Sequence, residues 1–197
     1  LSLFIKESPA PRSHRTARVQ EVFRRGRWLY TSYFLRHLAA YNIWAVFPIY
    51  LSMLGASKLW IGILYALNMG TQVLAMNIAG FLAEGGGEKR LVRAGILLSA
   101  AVFTTYWLSQ SYLQVAPAQV LLGFAWGFLY VGSLIYLIRR SPEERATATG
   151  ILGSTISAAA VFGSFLSGAV AEVFSPRENT LLGAFLAIVA LIASLQI

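Results

Sequence analysis

Residues 94–138 read AGILLSAAVFTTYWLSQSYLQVAPAQVLLGFAWGFLYVGSLIYLI, and none of these 45 residues is Lys, Arg, Asp or Glu. A helix needs about 20 mostly apolar residues to cross the hydrocarbon core of a bilayer, so the stretch is too long for one crossing. We therefore predict two crossings, with a turn at Ser109–Gln110–Ser111 and Pro117 near the start of the second helix. A charge-free run of this length indicates that this part of the chain is embedded in a lipid bilayer.

Four other runs without charged residues extend the same pattern. They are Leu38–Ser57, Leu59–Ala83, Ala146–Ala171 and Asn179–Ile197. The backbone in lipid must satisfy its hydrogen bonds within the segment, so each run is predicted to be helical. The sequence thus predicts an all-α integral membrane protein with six transmembrane helices, near 28–55, 59–83, 91–109, 113–138, 146–173 and 180–197.

The composition supports a membrane protein and argues against other classes. The chain is 57% hydrophobic and 12% charged, whereas soluble domains carry about 25% charged residues. The net charge is +8, which can indicate nucleic-acid binding when one face of a soluble fold is basic. The cations here lie between apolar runs, so no nucleic-acid partner is predicted. Cysteine is absent, which excludes a disulfide framework and a thiolate metal site.

The positions of the cations predict the orientation of the helices. Thirteen of the 16 Lys and Arg residues fall on one side of the predicted membrane. They are Lys6, Arg12, Arg15, Arg18, Arg24, Arg25, Arg27, Lys89, Arg90, Arg93, Arg139, Arg140 and Arg145. The opposite loops hold only Lys58 and Arg177. Positive loops remain in the cytoplasm, which predicts a multi-pass cell-membrane protein with a cytoplasmic linker and cytoplasmic loops near 84–93 and 139–145.

The first 27 residues differ in character from the rest of the chain. Leu1–Ile5 is interpreted as the last turn of an earlier helix, with a surface strand or coil as the alternative. The polar, basic stretch 11–27 is predicted to be a linker with an amphipathic helix around Val19–Phe23. We therefore divide the chain into 1–27, the tail of a preceding helix and a basic cytoplasmic linker, and 28–197, a six-helix transmembrane half.

The end of the second span carries a recognisable motif, GFLAEGGGEKR at residues 80–90. It resembles the loop signature G-x-L-A-D-R-x-G-R-K-R of the major facilitator superfamily. Glu84 stands at the acidic position of the signature, whereas Gly85 and Glu88 replace basic residues. Glycine permits a tight turn, and an acid can cap or pair at a neighbouring helix N-terminus. The loop-motif residues are Gly80, Glu84, Gly87, Lys89 and Arg90.

Three further stretches are similar to the same family and occur in the family's order. Residues 119–123 and 142–145 resemble R-x-x-x-G and P-E-E-R in the fourth helix of a half, although Gln119 replaces the Arg and puts a charge-relay role there in doubt. Residues 163–168 look like G-P-x-x-G-G without its proline, and 47–55 is similar to the end of a first helix. The resemblance implies the C-terminal half of a transporter, helices seven to twelve, with an N-terminal half as partner. It also implies alternating access around a midplane site that both halves share.

Arg36 and His37 are the ionisable residues predicted to lie within the membrane. Such groups are costly in lipid and usually face a cavity or a partner. Arg36 can instead snorkel to the headgroups, because its chain is long. His37, Tyr41 and Trp44 share one helical face, which can line a cavity or pack as an aromatic seam.

Two other helices present polar stripes with the same ambiguity. On the second span Tyr65, Asn68 and Gln72 align, and they can bind a polar solute or pair between helices. On the fourth span, aromatic side chains with a polar group suit amphipathic solutes. The candidate cavity-lining residues are Arg36, His37, Tyr41, Trp44, Tyr65, Asn68, Gln72, Trp126 and Tyr130. In the fifth span Gly150, Gly153, Ser157 and Ser164 are interpreted mainly as close-packing small residues.

The sequence favours a transporter of a small solute over an enzyme. It contains no visible nucleophile–base pair, metal-ligand cluster or phosphate-binding loop, and it indicates no cofactor. If transport is coupled to protons, the titrating carboxylate is expected in the other half, because this half offers only His37 at membrane depth. The alternatives are a non-transporting six-helix membrane protein, such as a receptor or assembly scaffold, and a six-helix channel. A channel would need a pore-lining ring of charges or carbonyls, which the sequence does not display.

Overall fold

The computed structural model describes the backbone of residues 15–197 and the side chains of residues 19–197. The prediction for Leu1–Ile5, much of the proposed linker and the cations Lys6 and Arg12 therefore lie outside the described residues. Seven α-helices and short connections form the described part of the chain. They are α1 (Arg15–Trp44), α2 (Phe47–Met53), α3 (Lys58–Ala83), α4 (Glu88–Leu108), α5 (Tyr112–Arg140), α6 (Arg145–Val173) and α7 (Pro176–Ser194).

The helix boundaries confirm that the long charge-free run forms two helices with a turn between them. The run is divided between α4 and α5, which are separated at residues 109–111. The Ser111 side chain accepts a hydrogen bond from the Leu113 amide at the start of α5. Pro117 lies inside α5, in its second turn, where it lacks the amide hydrogen that would otherwise bond to the carbonyl of Leu113.

Five helices, α3 to α7, are long and apolar enough to cross a membrane. The predicted first span does not form one continuous helix, because the chain breaks at Ala45–Val46 between α1 and α2. Pro48 explains the break, since it lacks an amide hydrogen and its ring would collide with the carbonyl of Trp44 in a continuous helix. At the other end α1 begins at Arg15 and continues through residue 27 without interruption. The predicted amphipathic helix around Val19–Phe23 is therefore the first part of α1.

Contacts between helices fix their relative directions. Tyr30 of α1 donates to the carbonyl of Ala148 near the start of α6, at 3.2 Å, and Gly163, further along α6, lies against Tyr41 of α1. These two helices are therefore parallel. Asn42, near the end of α1, donates to the carbonyl of Asn179 near the start of α7, at 2.8 Å, so α1 and α7 are antiparallel.

The basic segments predicted to share one side of the membrane meet at one end of the bundle. Arg93, at the start of α4, donates to the carbonyl of Ser194 at the end of α7, at 3.3 Å. Arg140 donates to the carbonyl of Arg25 at 3.0 Å, and Arg25 lies 3.8 Å from the carboxylate of Glu144. We call this end of the bundle, residues 24–28, 84–93, 139–147 and 194–197, the basic end.

Glycines bring α3 and α5 into close contact. A Cβ atom on Gly123 would lie 2.6 Å from Cβ of Thr71, and one on Gly127 would lie 2.7 Å from Cβ of Ala75. Gly163 approaches α1 just as closely, with 2.8 Å to Cβ of Tyr41. Close backbone approach of this kind lets helices pack tightly in lipid, where no hydrophobic driving force holds them together.

The small residues predicted to pack on α6 do not do so within the described bundle. Gly150, Gly153, Ser157 and Ser164 are exposed, and a Cβ atom on either glycine would meet nothing within 4 Å. The helical phase explains the difference, because Gly163 lies on the side of α6 that faces α1 whereas these four residues lie on the outer side. Their spacing revealed a small-residue stripe but not the direction in which it points.

Candidate functional site: a polar cavity between three helices

A cavity of about 200 Å³ lies between α1, α3 and α5. Seven of the nine side chains predicted from the sequence line it, together with Ala40, Met69 and Leu122. The seven are Arg36, His37, Tyr41, Trp44, Asn68, Gln72 and Trp126. The structure therefore brings three separately predicted helical faces to one place.

Arg36 is buried at the middle of the bundle, with 2% of its surface exposed. Its Nε donates to Oγ of Ser99 at 2.9 Å. Ser99 lies about midway along α4, so the guanidinium is far from both helix ends. Arg36 thus faces the cavity rather than snorkelling to the basic end, which decides between the two alternatives left by the sequence.

Ser99 was not among the sequence-predicted residues, yet it holds Arg36 in place. Its hydroxyl donates to the carbonyl of Gly95 at 2.8 Å and accepts from Arg36. Ser99 is fully buried. The sequence signal for Ser99 was a single polar residue at the centre of a largely apolar span. Such a residue does not reveal which helix supplies its hydrogen-bond partner.

His37 lies beside Arg36 on the cavity wall. Its Nδ1 lies 2.9 Å from the carbonyl oxygen of Tyr33, and its ring stacks on Tyr33 with 4.2 Å between the ring centres. Because a carbonyl only accepts, Nδ1 must carry the hydrogen in this contact. The neutral ring then has Nε2 as a hydrogen-bond acceptor, and this atom has no partner among the described residues.

The two predicted aromatic residues that do not line the cavity support those that do. Tyr65 packs on Trp44 with 4.7 Å between ring centres, and Tyr130 stacks on Trp126 at 4.8 Å and an interplanar angle of 12°. The two indole rings come from α1 and α5, on different walls of the cavity. Paired rings restrict the rotation of each indole, so the cavity has two ordered aromatic surfaces.

The amide side chains of α3 form a short chain of hydrogen bonds. Gln72 donates to Oδ1 of Asn68 at 2.7 Å, and Asn68 donates to the backbone carbonyl of Gln119 on α5 at 3.1 Å. Pairing between helices and lining of the cavity are therefore both observed for Asn68. The side chain of Gln119 is fully buried and has no hydrogen-bond partner in the described chain.

The loop motif forms a tight connection at the basic end. Gly86 has a positive φ of 86°, a conformation that favours glycine. A Cβ atom on Gly87 would overlap the carbonyl oxygen of Leu82. These two glycines let the chain leave α3 and enter α4 within four residues, as the resemblance implied for a turn.

Glu88 rather than Glu84 makes the ion pair of this loop. Glu88 lies in the first turn of α4 and accepts from Arg139 at 2.8 Å, whereas the Glu84 carboxylate has no ion pair among the described side chains. Glu84 is the residue directly after the end of α3, where the helix dipole is unfavourable to a negative charge; Glu88 lies where the dipole is favourable. The prediction that Glu84 caps or pairs at a neighbouring helix start is therefore wrong, and Glu88, which replaces a basic residue of the signature, takes that position.

The remaining loop-motif residues lie around this connection. Lys89 donates to the carbonyl of Ile197 at 3.1 Å and lies 5.9 Å from the ring centre of Tyr136. Arg90 is exposed, and a Cβ atom on Gly80 would meet no neighbour within 4 Å. Gly80 therefore has no packing role within the described bundle.

Comparison with known proteins agrees with the membrane fold. The sequence model of the Major Facilitator Superfamily matches residues 29–196. The quinolone resistance protein NorA of Staphylococcus aureus strain N315 is 26% identical over 168 residues, which cover 85% of this chain and 43% of NorA. NorA of strain MRSA252 is 26% identical over 146 residues, which cover 74% of this chain and 38% of the relative. The chain spans less than half the length of these curated relatives.

The matched region contains every helix from α2 to α7, residues 29–44 of α1 and every residue that lines the cavity. It also contains the glycine turn and the Glu88–Arg139 pair at the basic end. With apolar helices that can cross a membrane several times and a family match over most of its length, this multi-pass membrane protein belongs to the Major Facilitator Superfamily.

Proposed function

We propose that this chain is the C-terminal half of a secondary transporter that moves a small amphipathic aromatic solute across the cell membrane by alternating access. The observation that carries the proposal is the cavity between α1, α3 and α5, where a buried cation, two amides and two indoles converge. Pockets for organic ligands combine apolar and aromatic walls with a few placed polar groups. The name of the relatives, quinolone resistance protein, supports an aromatic solute and supports export as the direction.

An N-terminal half is proposed to complete the cavity. Only 22% of the α3 span and 17% of the α6 span are buried, against 50% of the α4 and α5 spans. The outer stripe of α6, with Gly150 and Gly153, is one surface on which a further helix can pack closely. A groove of about 890 Å³ between α1 and α6 includes Gly150 in its wall and lies on the same flank.

The basic end is proposed to face the cytoplasm, with the linker before α1 on that side. The cations at this end outnumber those at the other end, which supports this orientation through the positive-inside rule. The Glu88–Arg139 pair and the tight glycine turn would then lie at the cytoplasmic mouth of the transport pathway. Movement of α4 relative to α5 during alternating access would act directly on this pair.

A transport assay with one matched pair of variants tests the function. The complete protein is reconstituted in liposomes under an imposed pH gradient, and uptake of a radiolabelled quinolone is measured. Trp126→Ala removes a wall of the cavity and is expected to lower uptake at least tenfold. Trp60→Ala removes an indole that packs on Tyr112 outside the cavity and is expected to change uptake less than twofold. Binding without any movement across the membrane would instead support a receptor or scaffold.

A further inference from the structure

The guanidinium of Arg36 uses only a small part of its hydrogen-bonding capacity within the described chain. Its guanidinium carries five N–H groups, and the structure gives it one hydrogen bond, from Nε to Ser99. The terminal nitrogens Nη1 and Nη2 have no acceptor among the described residues. Since Ser99 occupies the Nε side and Arg36 lines the cavity, the unpaired part of the guanidinium is available to whatever fills the cavity.

No carboxylate of the described chain can neutralise this charge. The sequence contains no Asp, and the described Glu residues lie at the two ends of the bundle. Glu21, Glu84, Glu88, Glu143 and Glu144 lie towards the basic end, and Glu172 and Glu178 lie at the opposite end. His37, the neighbouring titratable group, is neutral or positive and therefore adds no negative charge. A buried charge without a counter-ion is strongly unfavourable unless an anion joins it.

The surroundings of Arg36 specify the kind of anion. An arginine fork matches a carboxylate through two parallel N–H···O bonds. The same cavity presents the indoles of Trp44 and Trp126, which favour the flat face of an aromatic ring. We propose that Arg36 binds the carboxylate, or an equivalent anionic group, of an aromatic solute, and that Ser99 positions the guanidinium for it. This inference rests on the proposed function, because it names the chemistry of the solute in the same cavity.

Paired probes that share one ring system and differ at a single group, an anionic carboxylate or an uncharged carboxamide, test the proposal on the complete transporter. The first probe is a quinolone carboxylic acid without a basic amine, which is an anion near neutral pH, and the second is its uncharged primary carboxamide. Binding to the purified protein is measured by calorimetry. The wild type is expected to bind the acid at least tenfold more tightly than the carboxamide.

Substitutions at Arg36 and Ser99 test whether Arg36 causes the preference for the acid over the carboxamide. Arg36→Gln is expected to weaken binding of the acid at least tenfold and binding of the carboxamide less than threefold. Arg36→Lys, which keeps the charge but loses the fork, and Ser99→Ala, which loses the positioning contact, are expected to give intermediate losses for the acid alone. Lys58→Gln removes an exposed cation remote from the cavity and is expected to change neither affinity.

The outcomes separate this inference from the proposed function. Equal binding of acid and carboxamide by the wild type, or equal losses for both probes in Arg36→Gln, would overturn the anion site while leaving an aromatic-solute transporter intact. If the wild type neither binds nor transports either probe or an uncharged aromatic compound, the proposed function itself fails. If Arg36→Gln does not fold, the anion site is still tested by two results. These are the preference of the wild type for the acid and the loss of acid binding in Arg36→Lys and Ser99→Ala.

Discussion

Arg139 at the end of α5 forms an ion pair with Glu88 at the start of α4, with 2.8 Å between Nη1 and Oε2. The other terminal nitrogen of Arg139 donates to the carbonyls of Ala83 and Glu84 at 3.4 and 3.5 Å. One side chain thus joins the end of α3, the start of α4 and the end of α5. The connection between α3 and α4 is therefore stabilised by a side chain of α5 as well as by its own turn.

Glu88→Gln is expected to weaken this connection by a small amount. The Arg139 side chain is 46% exposed, so solvent screening limits the pair to about 0.2–1 kcal/mol. The expected fall in Tm is about 0.4–4 °C for a chain of this size. Thermal unfolding of the purified protein in detergent measures it. The control is Glu84→Gln, which removes a carboxylate without an ion pair at the unfavourable end of the α3 dipole and should leave Tm unchanged or slightly higher. An equal fall in both variants would contradict the assignment of the pair.

Gly87→Ala is expected to disturb the turn between α3 and α4. The added Cβ would overlap the Leu82 carbonyl oxygen, and a backbone atom cannot move aside as a flexible side chain can. Overpacking of this kind costs about 1–3 kcal/mol. Gly85→Ala in the same turn is the matched control, because its Cβ would meet nothing within 4 Å. Unfolding in denaturant compares the two, and the close contact is refuted if both are equally stable.

Leucine substitutions at two glycines are expected to have different effects, one on packing inside the described bundle and the other on packing against the proposed N-terminal half. Gly127→Leu is expected to separate α5 from α3, because even a Cβ atom would lie 2.7 Å from Cβ of Ala75. Gly153→Leu adds the same side chain to the outer side of α6, where nothing lies within 4 Å.

Two proteins are compared for each substitution: residues 15–197 expressed alone, and the complete transporter of the proposed function. We expect Gly127→Leu to reduce the folded yield of both at least fivefold. Gly153→Leu should spare the isolated half and impair transport by the complete protein, since the proposed N-terminal half packs on that side. Normal transport by Gly153→Leu would argue against a close contact there.

His37→Asn tests how the cavity histidine contributes. Asn can still donate to the Tyr33 carbonyl, but it lacks the free Nε2 acceptor and the ring that stacks on Tyr33. We expect solute affinity to fall about threefold to tenfold, which is about 0.7–1.4 kcal/mol. Proton-driven uptake should persist, because we expect the proton-carrying carboxylate in the other half. Loss of coupling with intact binding, measured as solute uptake with and without a pH gradient, would assign the proton to His37 instead.

The lengths and borders of the helices were largely predictable from the sequence. Charged residues rarely enter lipid, so runs without them mark the spans. The turn at 109–111 followed from the excessive length of residues 94–138. The break at Ala45–Val46 was missed, although Pro48 was visible, because the charge-free run continues through it and the prediction relied on charge alone.

The candidate site was partly predictable for a similar reason. Polar side chains repeated at helical spacing identify a face, and seven of the nine predicted residues line one cavity. Tyr65 and Tyr130 do not line the cavity but pack on the rings of Trp44 and Trp126, which do. Ser99 was missed, since a single serine in an apolar helix has no periodic signal.

The sequence by itself determined that the chain is α-helical, where most helices begin and end, and that the basic segments share one side. These properties depend on the length of each apolar run and on where the charged residues lie along the chain, because charged side chains are unfavourable in lipid. Tertiary structure alone decided that Arg36 bonds to Ser99 instead of snorkelling, that Glu88 rather than Glu84 pairs with Arg139, and that Gly127 packs while Gly153 faces outward. These outcomes depend on the rotation of each helix about its axis and on its neighbours, because a face is buried or exposed only when another helix is placed against it.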